Sequence, residues 1–350
     1  MKKMKRIISR LVSLLFCFGA YALAEEAEEK RTDSTGDYEY VLLEDGSTEI
    51  IRYTGTVEHL KIPAELDGYP VTSIGDDAFR NYSFPDILDD EFSNCDNLTS
   101  VNLPNSVTSI GDHAFSGWDS LTSINLPNSI TCISGNPFCS CNHLRAIRVS
   151  PTHPFLATID GVLFEKSTKT LLCHPCSLDN STYAIPEGII SIGKSAFESC
   201  DKLTSVNLPD SITTIGDSAF AWCLSLTSIN LPDSITTIDD RVFAFCTSLT
   251  SINLPNSVTC IGKGAFRFCH SLNNISLPNS VTSIGDAAFS CCRSLTSINL
   301  PDSITSIAKD AFSSCPKLVL TVGPDTFAEE YAEKNRIPYI YYESTDWLNS

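Results

Sequence analysis

One phrase constrains this chain more than anything else in it. From Leu203 the sequence reads LTSVNLPDSITTIGDSAFAWCLS, and Leu226, Leu249, Leu272 and Leu295 each open it again, 23 residues after the last. Leu98 and Leu121 open earlier copies. A period in the range of about 20–29 residues marks a solenoid, because one such unit cannot bury its own apolar face and must stack on copies of itself. That overrides the expectation from length, which would divide 350 residues into separate domains.

The letters of one copy explain the period. In the coil from Leu226, Leu226, Ile229 and Leu231 follow the spacing L-x-x-L-x-L, which puts Ile229 and Leu231 on one face of a strand. Pro232 has no backbone donor and ends that strand. Asp233-Ser234 suits a turn, because both side chains can bond nearby amides. Ile235 and Ile238 point inward from a second short strand. Val242-Phe243, usually Ala-Phe elsewhere, forms a tight turn or single helical turn whose Phe fills the wide part of the coil. Stacked copies, about 4.8 Å apart, turn these positions into ladders and the strands into a parallel sheet.

The phrase resembles the BspA-like, or Treponema pallidum type, leucine-rich repeats. Leu249 to Val258, with Ile261-Gly262, Ala265-Phe266 and Cys269, matches that family's phrase almost position by position. Asp160-Gly161-Val162-Leu163-Phe164 and the tail Phe327-Ala328-Glu329-Glu330-Tyr331-Ala332 are similar to further family features. The resemblance implies a right-handed leucine-rich repeat solenoid in secreted or surface proteins of bacteria, some of which bind host proteins. It implies no catalytic residue and no cofactor.

The expected layout is a signal peptide over 1–24, a linker over 25–37, an N-terminal β cap over 38–59, the solenoid over 60–320 and a C-terminal cap over 321–350. Inserts interrupt the solenoid near 80–94 and 151–179. The signal reading rests on Lys2, Lys3, Lys5, Arg6 and Arg10, then an apolar run from Leu11 to Ala20, then Ala22-Leu23-Ala24. No later run is long enough for a transmembrane helix. The first coil is read from Leu60, in the place of Leu98, with about 15 extra residues after Phe79. Phe327 and Tyr331, four apart, are read as one helical face. The formal charge of −18 disfavours a phosphate-backbone partner, so no nucleic acid is expected.

Of the 15 cysteines, Cys95, Cys141, Cys200, Cys223, Cys246, Cys269, Cys292 and Cys315 each follow a Phe by three residues, and Trp118 takes that place once. A site that takes either Cys or Trp reads as an inward packing site, so a ladder of buried thiols is expected. Cys139 and Cys291 are read as sharing one repeat position. Cys173-His174-Pro175-Cys176 reads as a local disulfide or plain thiols. A redox pair would need a βαβ setting, and a zinc half-site would need a second Cys/His pair.

Three surfaces are candidate ligand sites. Asn207, Asn230 and Asn253 point outward in register beside Ser205, Ser228 and Ser251. They form a polar surface or a self-bonded amide ladder. Trp222, Phe245 and Phe268 share the place just before the ladder Cys and would stack as an apolar patch. The two inserts are the third. No histidine shows a repeated carboxylate or nucleophile partner, and H-E-x-x-H, G-x-S-x-G and phosphate-loop motifs are absent. The expectation is therefore a secreted or cell-surface module, not an enzyme, binding a protein or glycan ligand such as a host molecule. A structural spacer or self-associating solenoid is the alternative.

Overall fold

The computed structural model describes residues 29–81, 98–178 and 181–342. The chain winds as a β-solenoid of about 12 turns of about 23 residues each. Two rows of short parallel strands run along it. In the coil from Leu203, Ser205–Asn207 belongs to the first row and Thr214–Ile215 to the second. Pairing keeps register: Val206 lies between Tyr183 and Ile229, and Ile215 on Ile192. Strand alternation buries Val206 and Ile229 and turns Asn207 and Asn230 to solvent. Pro209 and Pro232 follow the first-row strands, and their carbonyls accept from Ile212 and Ile235, both at 3.1 Å, to close the turn into the second row.

The third side of each coil is the Ala-Phe corner. Its Phe N–H donates to the next coil's carbonyl, as from Phe243 to Ala265 at 2.8 Å. The Phe rings stack with centroids 4.9 to 5.8 Å apart, from Phe79 through Phe138 and again from Phe197 to Phe312. Tyr53 of the N-terminal cap closes one end at 5.3 Å from Phe79, and Tyr331 closes the other at 6.1 Å from Phe312.

The small polar letters are bonded as regularly as the apolar ones are packed. Thr204, Thr227 and Thr250 each donate a hydroxyl to the carbonyl 23 residues earlier. Ser257, Ser280 and Ser303, after the Pro-x pair, donate to the carbonyl 22 residues earlier. The ladder thiols do likewise: Cys223, Cys246, Cys269 and Cys292 each donate to the Phe carbonyl 26 residues earlier, at 3.1 Å. Trp118 keeps this bond with its indole N–H, which reaches the Phe79 carbonyl at 2.6 Å. Cys and Trp therefore share a donor as well as bulk at this site, and the thiol is a second donor to a carbonyl that already accepts a backbone N–H, as Phe197 does from Cys200 at 3.1 Å. Cys95 lies outside the described residues.

At the N-terminus Tyr38–Leu42 and Thr48–Tyr53 form an antiparallel pair, and Thr48–Tyr53 passes into the second row beside Tyr69–Ile74. Arg31–Thr32 adds a strand beside Tyr38–Leu42, so pairing begins inside the stretch read as a linker. The first coil differs from its sequence reading. Leu60 pairs with Val101, 41 positions on, and Ile74 pairs with Ile110, 36 positions on. Against a period of 23, 13 extra residues lie beyond Ile74 and five lie before it, where Glu65–Leu66 and Tyr69–Pro70 form a small antiparallel hairpin. Most of the insert read near 80–94 lies outside the described residues.

At the C-terminus a helix, Phe327–Asn335, starts at Thr326, whose hydroxyl accepts from Glu329 N at 3.3 Å. Ala328, Tyr331 and Ala332 face the core. Phe327, expected beside Tyr331, is 40 % exposed and is not among the helix's buried residues. Tyr339–Tyr341 then extends the first row beside Leu320–Val322.

The second insert is a three-stranded antiparallel unit of Leu156–Ile159, Val162–Glu165 and Thr170–Cys173. It interrupts the first row, which stops at Ala146–Arg148 and resumes at Thr182–Ala184. It also splits the interior in two. Leu163, Leu172 and Cys173 pack with the N-terminal core, while Val162, Phe164, Leu171 and Cys176 pack with the C-terminal one. A strand with apolar residues on both faces is what a wall between two cores requires.

Candidate functional site

Trp222, Phe245 and Phe268 occupy one corner position on three adjacent coils. Each has φ of 61°, as do Ser199 and Cys291 at the same position. This left-handed backbone disfavours bulky side chains, and Ser140 and Ser314 fill the place on other coils. Its N–H donates to the next coil's carbonyl, from Trp222 to Ala244 at 2.8 Å and from Phe245 to Arg267 at 2.7 Å. The three rings are half-buried and stack nearly parallel. Their centroids are 3.7 Å apart from Trp222 to Phe245 and 4.5 Å from Phe245 to Phe268. The Arg267 guanidinium sits 4.9 Å over the Phe268 ring, and His270 meets that ring edge-on at 5.8 Å. Facing rings cover one another, so the comb offers ring edges rather than ring faces.

The polar surface also stands in register. Ser205 pairs with Ser228, and Asn253 bridges to Asn230 on one side and Ser276 on the other. Asn207, Asn230, Asn253, Ser228 and Ser251 are exposed and Ser205 is half-buried. The hydrogen bonds that tie the coils together come from the neighbouring Thr204, Thr227 and Thr250 hydroxyls. This surface lies on the sheet side and the aromatic comb on a corner, so the two are separate candidates.

The cysteine readings resolve differently. All 13 described cysteines are free thiols. Cys173 and Cys176 pack with opposite cores, and the Cys176 sulfur instead lies 2.8 Å from that of ladder Cys200. Cys291 shares its backbone position with Ser140, not with Cys139, which stands one residue earlier in its coil, like Ser290. Two cysteines within three residues of Phe138 blur the register there: Cys141 is the ladder residue and Cys139 stands two before it. His174 enters the aromatic ladder, stacked on Phe197 at 5.0 Å. Burial lowers its pKa to about 4.

The wall also assembles residues that no sequence pattern brought together. The corner of the coil from Leu121 meets the corner of the coil from Tyr183, although the two are 59 positions apart. Asn136 Nδ2 donates to the Ser195 carbonyl at 2.8 Å, and the Ser140 and Ser199 hydroxyls meet at 2.9 Å. Here His113 Nδ1 lies 3.1 Å from Asp112 Oδ2 and its Nε2 lies 3.4 Å from Glu198 Oε2. Lys194 Nζ reaches Asp112 Oδ2 at 2.7 Å. Asp112 Oδ1 accepts from Asn136 N at 3.0 Å. Gly135, at φ +66°, leaves the space for that carboxylate; a Cβ there would collide with it. Burial opposes the Asp112 charge, yet His113 and Lys194 hold its pKa below the usual value. Burial also opposes a charged His113, but hydrogen bonds to Asp112, Cys139 and Glu198 raise its pKa. Burial pushes the Cys139 thiol up to about 12. The signal for this cluster is visible in the letters for Cys139 and Glu198, which stand where other copies mostly have Ser or Ala.

Stacked parallel coils closed by caps, with surface letters varying on a fixed frame, define a leucine-rich repeat protein. A model for the BspA type leucine rich repeat region matches residues 85–175, 171–269 and 242–329, and the chain belongs to that family. Among solved structures, a leucine rich cell surface protein from Faecalibacterium prausnitzii is 27% identical, with a TM-score of 0.54, over 93% of this chain and 98% of that one. The pneumococcal vaccine antigen PcpA shares the fold at 17% identity and a TM-score of 0.54, over 90% of this chain and 99% of that one. No curated protein matches the chain. No helix among the described residues is long and apolar enough to cross a membrane.

Proposed function

We propose that the protein is an exported, surface-exposed binding module whose partner docks on the comb of Trp222, Phe245 and Phe268. The observation that carries this is the placement of three aromatic rings at a left-handed corner position that other coils fill with Ser. Folding does not call for bulk there, and half-exposed aromatic patches on a rigid frame suit recognition. A protein partner fits better than a glycan. Sugars stack on ring faces, and here stacking closes four of the six faces, Arg267 lies over Phe268, and the edges are left to apolar side chains and carbonyls. The relative from F. prausnitzii, described as a cell surface protein, supports the location.

The test is a screen of protein and glycan arrays with the wild type and with the triple variant Trp222→Ser, Phe245→Ser, Phe268→Ser. The expected result is saturable binding to a protein, lost in the variant. Full retention of every hit in the variant contradicts the reading, and hits confined to glycans replace the protein partner with a carbohydrate. Self-association has one observation of its own. The last strand presents Ile340 and Tyr341, 58% and 52% exposed, at the free end of the first row among the described residues.

A further inference from the structure

We propose that His113, Cys139 and Glu198 form a binding site for one divalent transition-metal ion of the zinc class, set at the joint between the two cores. Three kinds of donor converge: an imidazole nitrogen, a thiol sulfur and a carboxylate oxygen, all within 4.8 Å of one another. Zinc takes these donors at about 2.0–2.3 Å in tetrahedral geometry, so neighbouring ligand atoms belong about 3.3–3.8 Å apart. The 3.4 Å between His113 Nε2 and Glu198 Oε2 already meets that span. The remaining closure is within reach of side-chain rotation. Three protein ligands leave the fourth position to water, and the partly exposed His113 side chain gives solvent a path to it.

Three further features support the site. His113 Nδ1 faces the Asp112 carboxylate, the outer partner that fixes a ligating histidine with Nε2 toward the metal. Asp112 is itself held by Lys194 and by the Asn136 amide. The charges also balance. A thiolate, a carboxylate and a divalent ion sum to zero, which a buried site needs. The third feature is the repeat itself. Cys139 and Glu198 share the position just after the ladder Phe, where Ser116, Ala221, Ala244, Ser290 and Ser313 stand in five other coils and Arg80 and Arg267 in two. Only Cys139 and Glu198 put a metal-ligating group at that position, and both are buried, whereas Arg267 is exposed. They meet because the three-stranded insert removes a corner from the stack and brings the two coils together.

The test is titration of the purified protein with Co²⁺ as a spectroscopic probe, followed by competition with Zn²⁺. The expected result is one equivalent of tetrahedral Co²⁺ with thiolate-to-metal charge-transfer absorption, displaced by Zn²⁺. Cys139→Ser, which installs the residue of Ser116 and Ser290, should abolish that absorption while the thermal transition persists. Asp112→Asn should lower affinity about 10–100-fold. If Cys139→Ser fails to fold, Glu198→Ala, the residue of Ala221 and Ala244, should still weaken Co²⁺ binding at least about tenfold. Absence of the charge-transfer band at stoichiometric Co²⁺ overturns the proposal, as does a band that survives Cys139→Ser. Unchanged affinity in Glu198→Ala also overturns it. A cluster that serves only as an imidazolium–carboxylate ion pair would give no band, and the other two results would place Co²⁺ at a different site.

Discussion

The coils from Leu203 to Leu318 and the joint between Asp112 and Cys200 are written in the same phrase, and they use it differently. In the regular array each fixed letter has one repeated duty: Ile and Leu pack, Thr and Ser tie carbonyls, Cys donates to a Phe carbonyl and Phe extends one stack. At the joint the fixed letters persist, while the variable positions around the ladder Phe carry His, Cys, Glu, Lys and Asn, and the interior divides into two cores. The comparison teaches where to look for function in a repeat. The recurring letters build the frame, and departures that packing does not demand are left to do something else. The comb at Trp222 is a departure within the regular array, and the cluster at His113 is one at its interruption.

The comparison can be broken at the stack. Phe243 is fully buried between Phe220 and Phe266. Phe243→Ala should cost about 3–5 kcal/mol in denaturant unfolding, from lost burial and a cavity on both sides. A loss below about 1 kcal/mol would remove the Phe ladder as the spine of the fold.

The joint offers a sharper probe, because there a titratable ring fills the aromatic place. His174 has its pKa lowered by burial from an ordinary 6.5 to about 4. A lowered folded-state value means that the unfolded chain takes up the proton first. This contribution is present above pH 6.5 and is lost as the pH falls from 6.5 toward 4. The slope amounts to roughly 3 kcal/mol at most. His174→Phe, which restores the letter of the regular coils, should flatten stability against pH in that window relative to the wild type. Parallel profiles for the two proteins would show that His174 does not titrate as a buried group.

Much of the frame was legible because a repeat states the same physical demand many times. Leu, Ile and Phe at fixed spacing declared the core, and alternate residues such as Asn230 and Asn253 declared the exposed sheet face. The triple of Trp222, Phe245 and Phe268 could be aligned by counting 23. Counting fails once the spacing changes. Leu60 was matched to Leu98 although it pairs with Val101, because extra residues fall on both sides of the first second-row strand. The contact between Asn136 and Ser195 crosses an insert whose fold decides which coils become neighbours. Of the two carboxylates that flank His113, Asp112 is its sequence neighbour, but Glu198 lies 85 positions away and no repeat count joins them. The donor role of the ladder cysteines was hidden because a thiol reads first as a small apolar group, and only Trp118 shows what the two residues share.

The central claim is that the frame and the comb are separable within a single coil. Phe243 and Phe245 stand two residues apart, one inside the stack and one at the left-handed corner. The most direct measurement is the unfolding free energy of Phe245→Ser set beside that of Phe243→Ala. Loss of two stacked pairs, on Trp222 and Phe268, is worth about 1–3 kcal/mol, and relief of a bulky side chain at the left-handed corner, where Ser199 and Ser314 are native, should hold the net cost to about 1–2 kcal/mol. A loss of about 3 kcal/mol or more would make the comb part of the frame and contradict the account.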